Sequence, residues 1–211
     1  MSKSLYSLIL SDNVVAAVDS EANRRGTNRS NLINEILAEY LQVETPQQQM
    51  RSIFAELDKI LGGYFEALLP SNSRSMALKT SLDYKYKPTV KYELELGKAM
   101  ERAIGVLKVQ WRTTSEELTE RIDEFINLWM SIESELCHDV IGYVKDGNKF
   151  QRTFVLPENV SFSIIYISQA IGRYVRLFDK ALKDYASGKL ASKEDVEKFY
   201  KDSVYVQNQL I

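Results

Sequence analysis

The sequence predicts an amino-terminal strand-helix-helix module paired in a dimer, followed by a helix-dominated α+β domain with a small antiparallel sheet. Three observations support this fold class. Residues 5–10 alternate with the period of a strand. Residues 12–41 carry two helical apolar patterns separated by Gly26. Beyond residue 75, alternating runs lie between long helical stripes, which is typical of an α+β chain.

The run from Leu5 to Leu10 is predicted to form a strand. Its alternation places Leu5, Ser7 and Ile9 on one face and the other three residues on the opposite face. A single strand leaves its backbone groups unpaired, and no comparable run follows within hairpin distance. We therefore expect this strand to pair with the same strand of a second copy.

Two helices are predicted to follow the strand. Ser11-Asp12-Asn13 offers side-chain oxygens that cap the first helix, and Gly26 suits the left-handed residue that closes it. Thr27-Asn28 caps the second helix, whose apolar face runs to Tyr40. About 40 residues cannot bury the apolar faces of both helices, which is a second reason to expect a partner copy.

Residues 3–41 resemble the ribbon-helix-helix family of Arc-type and MetJ-type repressors. The resemblance rests on the alternating strand, the capped first helix, the turn from Gly26 to Ser30 and the apolar second helix that ends at Leu41. It implies that a dimer inserts its ribbon into the major groove of double-stranded DNA. By the same resemblance, the groove contacts are Lys3, Leu5, Ser7 and Ile9, and the phosphate contacts are Asn28, Arg29 and Ser30.

Physical chemistry supports the phosphate contact independently. The first turn of a helix presents unpaired N–H groups and the positive end of the helix dipole, and Arg29 adds a charged donor there. Arg24 and Arg25 lie near the same turn, although acidic residues outnumber basic ones in residues 1–45. Leu5 and Ile9 offer only apolar contact to bases, such as thymine methyl groups, and Ser7 offers a hydrogen bond.

The module is predicted to end near residue 45, so that residues 1–45 and 46–211 form separate domains. Pro46 disfavours helix in the residue before it, and the glutamines after it show no periodicity. The formal net charge of −2 excludes a general affinity for nucleic acid or acidic membranes. One cysteine, Cys137, excludes an internal disulfide, and no signal peptide or membrane span is recognised, which together predict a soluble cytoplasmic protein.

The second domain is predicted to alternate between helices and short strands. Helices are expected over residues 47–69, 113–145, 161–186 and 192–209, and strands over residues 76–86, 90–96, 104–111 and 150–156. Lys85, Lys87 and Lys91 alternate with Tyr84, Tyr86 and Tyr92, a pattern that nucleic-acid-binding surfaces also use. We interpret these lysines as the solvated face or edge of a sheet, where lysine is common.

The sequence predicts neither an enzyme nor a metal or cofactor site, and we assign no catalytic residue. It contains no phosphate-binding loop, dinucleotide fingerprint or nucleophile elbow. The single histidine, His138, follows Cys137, and neighbouring helical side chains point about 100° apart, so the two do not easily share a metal. We interpret Cys137 as a core residue, His138 as a surface residue, and Glu133 and Glu135 as solvated.

The predicted function is that of a sequence-specific, repressor-like transcriptional regulator that binds double-stranded DNA as a homodimer or higher oligomer. Residues 46–211 would add oligomerisation, a protein partner or a small ligand, and no membrane partner is expected. The alternative is an antitoxin-like or structural interaction protein that uses the amino-terminal module only for dimerisation.

Overall fold

The computed structural model describes residues 5–68, 75–100, 102–137, 141–158, 161 and 163–205. The chain divides into two compact units, Met1–Met50 (unit 1) and Arg51–Ile211 (unit 2). The described chain begins with three helices, α1 (Asp12–Arg24), α2 (Arg29–Tyr40) and α3 (Pro46–Leu61). The boundary between the units therefore falls inside α3, a few residues after the predicted position.

The predicted amino-terminal strand is wrong, and with it the strand-helix-helix fold class and its ribbon. Residues 5–10 are extended without forming a strand, and the first strand of the described chain is β1 (Glu66–Leu68). Leu5 is 98% exposed and Ile9 is wholly exposed. The physical reason is that β propensity supplies no hydrogen-bond partner, and this segment finds none in the described chain.

The two helices of unit 1 lie where the apolar periodicity predicts them. Gly26, at φ +63°, closes α1 as its N–H donates to the carbonyl of Asn23, while Thr27 N–H donates to that of Ala22 at 2.9 Å. Between the helices lies a small core of buried Val18, Ala22 and Leu32, with half-buried Ile33 against it.

Six strands of unit 2 form one antiparallel sheet within the described residues. The remaining strands are β2 (Ser75–Ser81), β3 (Thr89–Met100), β4 (Ala103–Arg112), β5 (Tyr143–Asp146) and β6 (Lys149–Val155). Their order across the sheet is β1-β2-β3-β4-β6-β5. The fold is thus a mixture of helices and an antiparallel sheet, and the sheet is larger than the small one predicted.

One face of this sheet carries the core of unit 2. The helices α4 (Glu116–Leu136), α5 (Ile164–Ala186) and α6 (Lys193–Tyr205) contact one another and contribute aromatic rings to it. Tyr92, Val109 and Phe150 are paired side by side on three strands and are all buried. The ring of Phe178 on α5 packs against Phe150 with centroids 5.6 Å apart, so α5 covers this face.

Two predicted helices end earlier than expected, because short strands follow them. α3 ends at Leu61, where Gly62 and Gly63 follow and Gly63 has φ +83°. α4 ends at Leu136, and part of its predicted extension is strand β5. Edge strands of three and four residues are too short to show a period of their own. The predicted end of the last helix, at residue 209, lies outside the described residues.

Candidate nucleic-acid interface

The predicted DNA-contacting residues occupy two places in unit 1. Leu5, Ser7 and Ile9 are exposed in the extended segment, whereas Asn28, Arg29 and Ser30 are exposed at the start of α2. No hydrogen bond of the described residues joins these two groups. The remaining predicted contact, Lys3, lies outside the described residues.

Asn28 is the amino-terminal cap of α2. Its Oδ1 accepts a hydrogen bond from the backbone N–H of Asn31 at 2.9 Å. This side chain is therefore engaged in holding the helix start. An anion at this position would instead meet the first N–H groups of α2, which have no acceptor within the helix, and the positive end of the helix dipole.

Arg29 forms a bidentate ion pair with Asp19 of α1. Its Nε donates to Oδ1 at 2.6 Å, and its Nη2 donates to Oδ2. The hydrogen bond from Arg29 lowers the pKa of Asp19, and the same bond raises the pKa of Arg29. The pair ties the start of α2 to α1, and any phosphate bound by Arg29 has to compete with this carboxylate.

Arg24 and Arg25 share a single carboxylate, that of Glu21. Arg24 donates to both oxygens at 2.7 and 2.6 Å, and Arg25 donates to Oε1 at 2.5 Å. These hydrogen bonds lower the pKa of Glu21 to about 2. Around the α1–α2 turn, three guanidinium groups thus face two carboxylates, which leaves an excess of one positive charge.

This arrangement suits weak, exchangeable anion binding. All five charged side chains are partly exposed, and such surface ion pairs contribute little to the stability of a protein. A phosphate group can therefore displace a carboxylate at little cost. The spacing of Glu21 to Arg24 and Arg25 was a sequence signal for these pairs. The pairing of Asp19 with Arg29 depends on how the turn folds, so spacing alone does not reveal it.

A second polar cluster, missed by sequence reasoning, lies in the core of unit 2 around Glu133. The prediction that Glu133 is solvated is wrong, because its side chain is fully buried beside fully buried Arg152. Arg152 Nη2 donates to Glu133 Oε1 at 3.2 Å, and the hydroxyls of Tyr143 and Tyr174 donate to Oε2 at 3.0 and 3.1 Å. We call these four residues, with Tyr200, the Glu133 cluster; the hydroxyl of Tyr200 donates to Oε1 at 3.4 Å.

Aromatic rings surround the guanidinium of Arg152. Its central carbon lies 4.2 Å from the ring centroid of Tyr174 and 5.0 Å from that of Phe154. Its Nε and Nη1 have no hydrogen-bond acceptor in the described structure. Burial acts to lower the pKa of Arg152, but Glu133, Tyr174 and Tyr143 together outweigh it and raise that pKa. Burial raises the pKa of Tyr143, and the charge of Glu133 raises it further. Satisfied carboxylate oxygens and stacked rings indicate a structural role for the cluster.

Cys137 borders the Glu133 cluster, with its Sγ 3.6 Å from the hydroxyl of Tyr200, and is half-buried. Its neighbour His138 lies outside the described residues. Among the residues that the structure describes, no group of three or more His, Cys, Asp or Glu side chains is placed to hold a metal ion.

No helix in the described ranges combines the length and apolar character needed to cross a membrane. No protein-family model matches this chain, and no curated protein or solved structure is significantly similar to it.

Proposed function

We propose that the protein is a repressor-like, sequence-specific regulator that binds double-stranded DNA through unit 1 as a homodimer or higher oligomer in the cytoplasm. The observation that carries the proposal is that Arg24, Arg25 and Arg29 flank the α1–α2 turn, with Arg29 at the start of α2. The resemblance to the Arc and MetJ type repressors supports the same assignment through its two helices and the turn from Gly26 to Ser30, since the strand that was also part of it does not form. No catalytic step is part of this function.

In this proposal the α1–α2 turn holds the DNA backbone. Arg29 and the first N–H groups of α2 bind a phosphate, and Ser30 adds a hydroxyl donor. The extended segment, with Ser7 between Leu5 and Ile9, and Lys3 before it, contacts the bases. Asn28 acts indirectly by capping α2, since its side-chain oxygen is already engaged.

Self-association is proposed because unit 1 leaves most of its large apolar side chains uncovered. Ile36, Leu37, Tyr40 and Leu41 on and after α2 are all exposed. A unit of this size buries too little apolar surface to be stable with these residues in water. A second copy of unit 1 would cover these side chains, so that each copy buries the exposed apolar surface of the other. Unit 2 then binds a protein partner or a small ligand.

The test is binding of the full-length protein to pooled genomic DNA fragments across a salt series. We expect one enriched site, an affinity that falls steeply with salt, and weaker binding for Arg29→Ala. Asp19→Asn should strengthen binding, because it releases Arg29 from its carboxylate. Lys59→Ala is the matched control, since Lys59 also sits in an exposed ion pair, with Glu56, but belongs to α3 in unit 2.

A dimerisation-only role, antitoxin-like or structural, is the second candidate. It is favoured by the pairing of all three arginines with carboxylates and by the apolar character of Leu5 and Ile9. Sedimentation of the same protein separates the two functions. A stable dimer that retains no DNA fragment at low salt would select the interaction role and reject DNA binding.

A further inference from the structure

The end of the sheet that carries the β2–β3 hairpin gathers basic side chains on the face opposite to the helices. Lys79, Lys91, Gln110 and Lys149 stand side by side on four neighbouring strands. Nearer the hairpin, Ser81, Thr89 and Arg112 form the next row. Residues 82–88, the hairpin that joins β2 and β3, carry Lys85 and Lys87, and we call the two rows together with this hairpin the basic end.

Cations exceed carboxylates at the basic end. Six cations (Lys79, Lys85, Lys87, Lys91, Arg112 and Lys149) meet three acids (Glu66, Asp83 and Asp146) in these rows and the hairpin. Lys79 pairs with Glu66 at 3.5 Å. The side chains of the other five cations have no ion pair among the described residues. Lys79 and Lys91 also lie directly opposite each other, and like charges so placed destabilise a sheet.

The hairpin itself holds an aromatic ring in solvent at a conformational cost. Tyr86 is 100% exposed and has φ +63°, and Lys87 follows with φ +44°. Lys87 N–H donates to the carbonyl of Tyr84 at 2.9 Å, which places Tyr86 at the turn position that normally requires glycine. Left-handed backbone is unfavourable for a non-glycine residue, because its Cβ crowds the following carbonyl oxygen. No contact of the Tyr86 ring within the described chain offsets this cost.

The turn is nevertheless firmly anchored. Leu82 is buried and its N–H donates to the carbonyl of Pro88 at 2.9 Å. The hydroxyl of Tyr84 donates to Glu117 of α4 at 3.2 Å. The backbone of the strained residue is therefore held in place by its neighbours, and its exposed ring lies between two lysines in the sequence. Strain that persists at an exposed, anchored position is typical of a binding surface.

We propose that the basic end is a binding surface for single-stranded nucleic acid, with Lys85, Lys87, Lys91 and Arg112 on phosphates and the ring of Tyr86 stacked on one base. A cationic groove or face combined with an exposed ring is the usual means of holding unpaired strands. An exposed ring has little use on a duplex, whose bases are already stacked. This site lies in unit 2 and is independent of the function proposed for unit 1.

The structure gives different surroundings to the three tyrosines that alternate with lysines in the sequence. Tyr92 is buried and bonded to Asp179, and Tyr84 is engaged with Glu117. Tyr86 is the ring of the three that is left available. The site therefore takes one stacked base with its flanking phosphates rather than a run of stacked bases.

The experiment measures binding of full-length protein to a fluorescent oligothymidylate by anisotropy across a salt series. Tyr86→Ala should weaken binding roughly tenfold or more, and Tyr86→Phe should retain it. An oligonucleotide with abasic sites should bind wild type about as weakly as oligothymidylate binds Tyr86→Ala. Replacing both Lys85 and Lys87 by Ala should make the salt dependence shallower, by about 0.7 in slope for each phosphate that the variant no longer neutralises.

The Tyr86→Gly variant tests the backbone strain and the role of the ring together. It should raise Tm by about 2–4 °C, because glycine accepts the left-handed turn, while its affinity should be as low as that of Tyr86→Ala. Lys180→Ala with Lys193→Ala is the control, since it removes two exposed lysines from α5 and α6 and should leave binding unchanged.

Three results would overturn the proposal: equal affinity for abasic and intact strands, equal affinity of the Arg29→Ala variant for oligothymidylate and for its matching duplex, or competition by polyglutamate as effective as by oligothymidylate. Arg29→Ala should not alter oligothymidylate binding. This variant separates failure of the basic end from failure of the DNA contact proposed for unit 1.

Discussion

Among the described carboxyls of unit 1 that form ion pairs, Glu21 has the most strongly lowered pKa, because two arginines donate hydrogen bonds to it. Its pKa of about 2, against an ordinary value of 4.5, means that the ion pairs stabilise unit 1 above pH 4.5 and are lost as the pH falls toward 2. Arg24→Ala together with Arg25→Ala should return the midpoint toward 4.5. Carboxyl NMR titration measures this, with Arg112→Ala as the control.

The same titration tests the exchange of carboxylate for phosphate at the α1–α2 turn. Saturating DNA that takes Arg24 or Arg25 from Glu21 should raise the pKa of this carboxyl, because it loses the donors that lower it. An unchanged midpoint in bound protein would show that DNA leaves both arginines on Glu21.

The buried pair of Arg152 and Glu133 differs from these surface ion pairs, because removal of one partner leaves the other as an unpaired buried charge. Arg152→Met should lower the free energy of unfolding by about 3–5 kcal/mol. Adding Glu133→Gln should recover part of this loss, since the amide oxygen still accepts from Tyr143 or Tyr174 and no buried charge remains. Urea unfolding of wild type, both single variants and the double variant forms the required cycle. Additive losses would contradict a charge-coupled pair.

At the scale of an element, the carboxyl-terminal ends of α1 and α2 offer two matched substitutions whose expected effects on stability are opposite. Gln42 occupies, at φ +54°, the closing position after α2 that Gly26 occupies after α1. In both helices the following residue donates to a carbonyl five residues back, Val43 to Ala38 and Thr27 to Ala22. Gln42→Gly should therefore stabilise unit 1 by ~1 kcal/mol, and Gly26→Ala should destabilise it by a similar amount.

Helical content measured during urea unfolding checks both variants. Because Gly26 has open space around its Cα, loss of stability on Gly26→Ala reflects backbone conformation and not a steric clash. A destabilised Gln42→Gly protein would mean that the glutamine side chain, rather than the turn, stabilises the end of α2.

Elements defined by local chemistry were predictable from the sequence, and elements defined by distant partners were not. α1 follows from helical spacing and Gly26, and α2 from helical spacing and its Asn28 cap, all within a few residues, whereas the cap predicted for α1 makes no side-chain hydrogen bond from Ser11. The strand expected at residues 5–10 failed because strand formation requires a neighbour, which no local pattern supplies. β1 and β5 were not predicted because they are short and follow runs with the apolar spacing of a helix.

The candidate sites divide in the same way. The arginines near the α1–α2 turn were visible because they are close in sequence. Glu133 was taken for a solvated acid because its burial depends on Arg152 and Tyr174, which lie 19 and 41 residues further along the chain. Tyr86 was visible as a residue type, but its strain and isolation depend on the geometry of the turn.

At the scale of the whole molecule, the two units differ in how much apolar surface they bury. The core of unit 1 is Val18, Ala22 and Leu32 with half-buried Ile33, whereas α5 alone buries a long stripe against the sheet. Local opening free energy follows such burial. Hydrogen exchange of full-length protein should therefore show faster exchange in α1 and α2 than in α5 and β3.

Protein concentration should change this exchange in unit 1 alone. If a second copy covers Ile36, Leu37 and Tyr40, dimer formation adds its binding free energy to the opening of α2, and protection there rises with concentration. α5 should show no such rise, because it draws its protection from the core of its own chain. Leu37→Lys should abolish the rise in α2 by placing a charge in the shared surface, while leaving α5 unchanged. Protection of α2 that is already equal to that of α5 and independent of concentration would instead mean that unit 1 is stable as a monomer, and the dimer proposal would have to be abandoned.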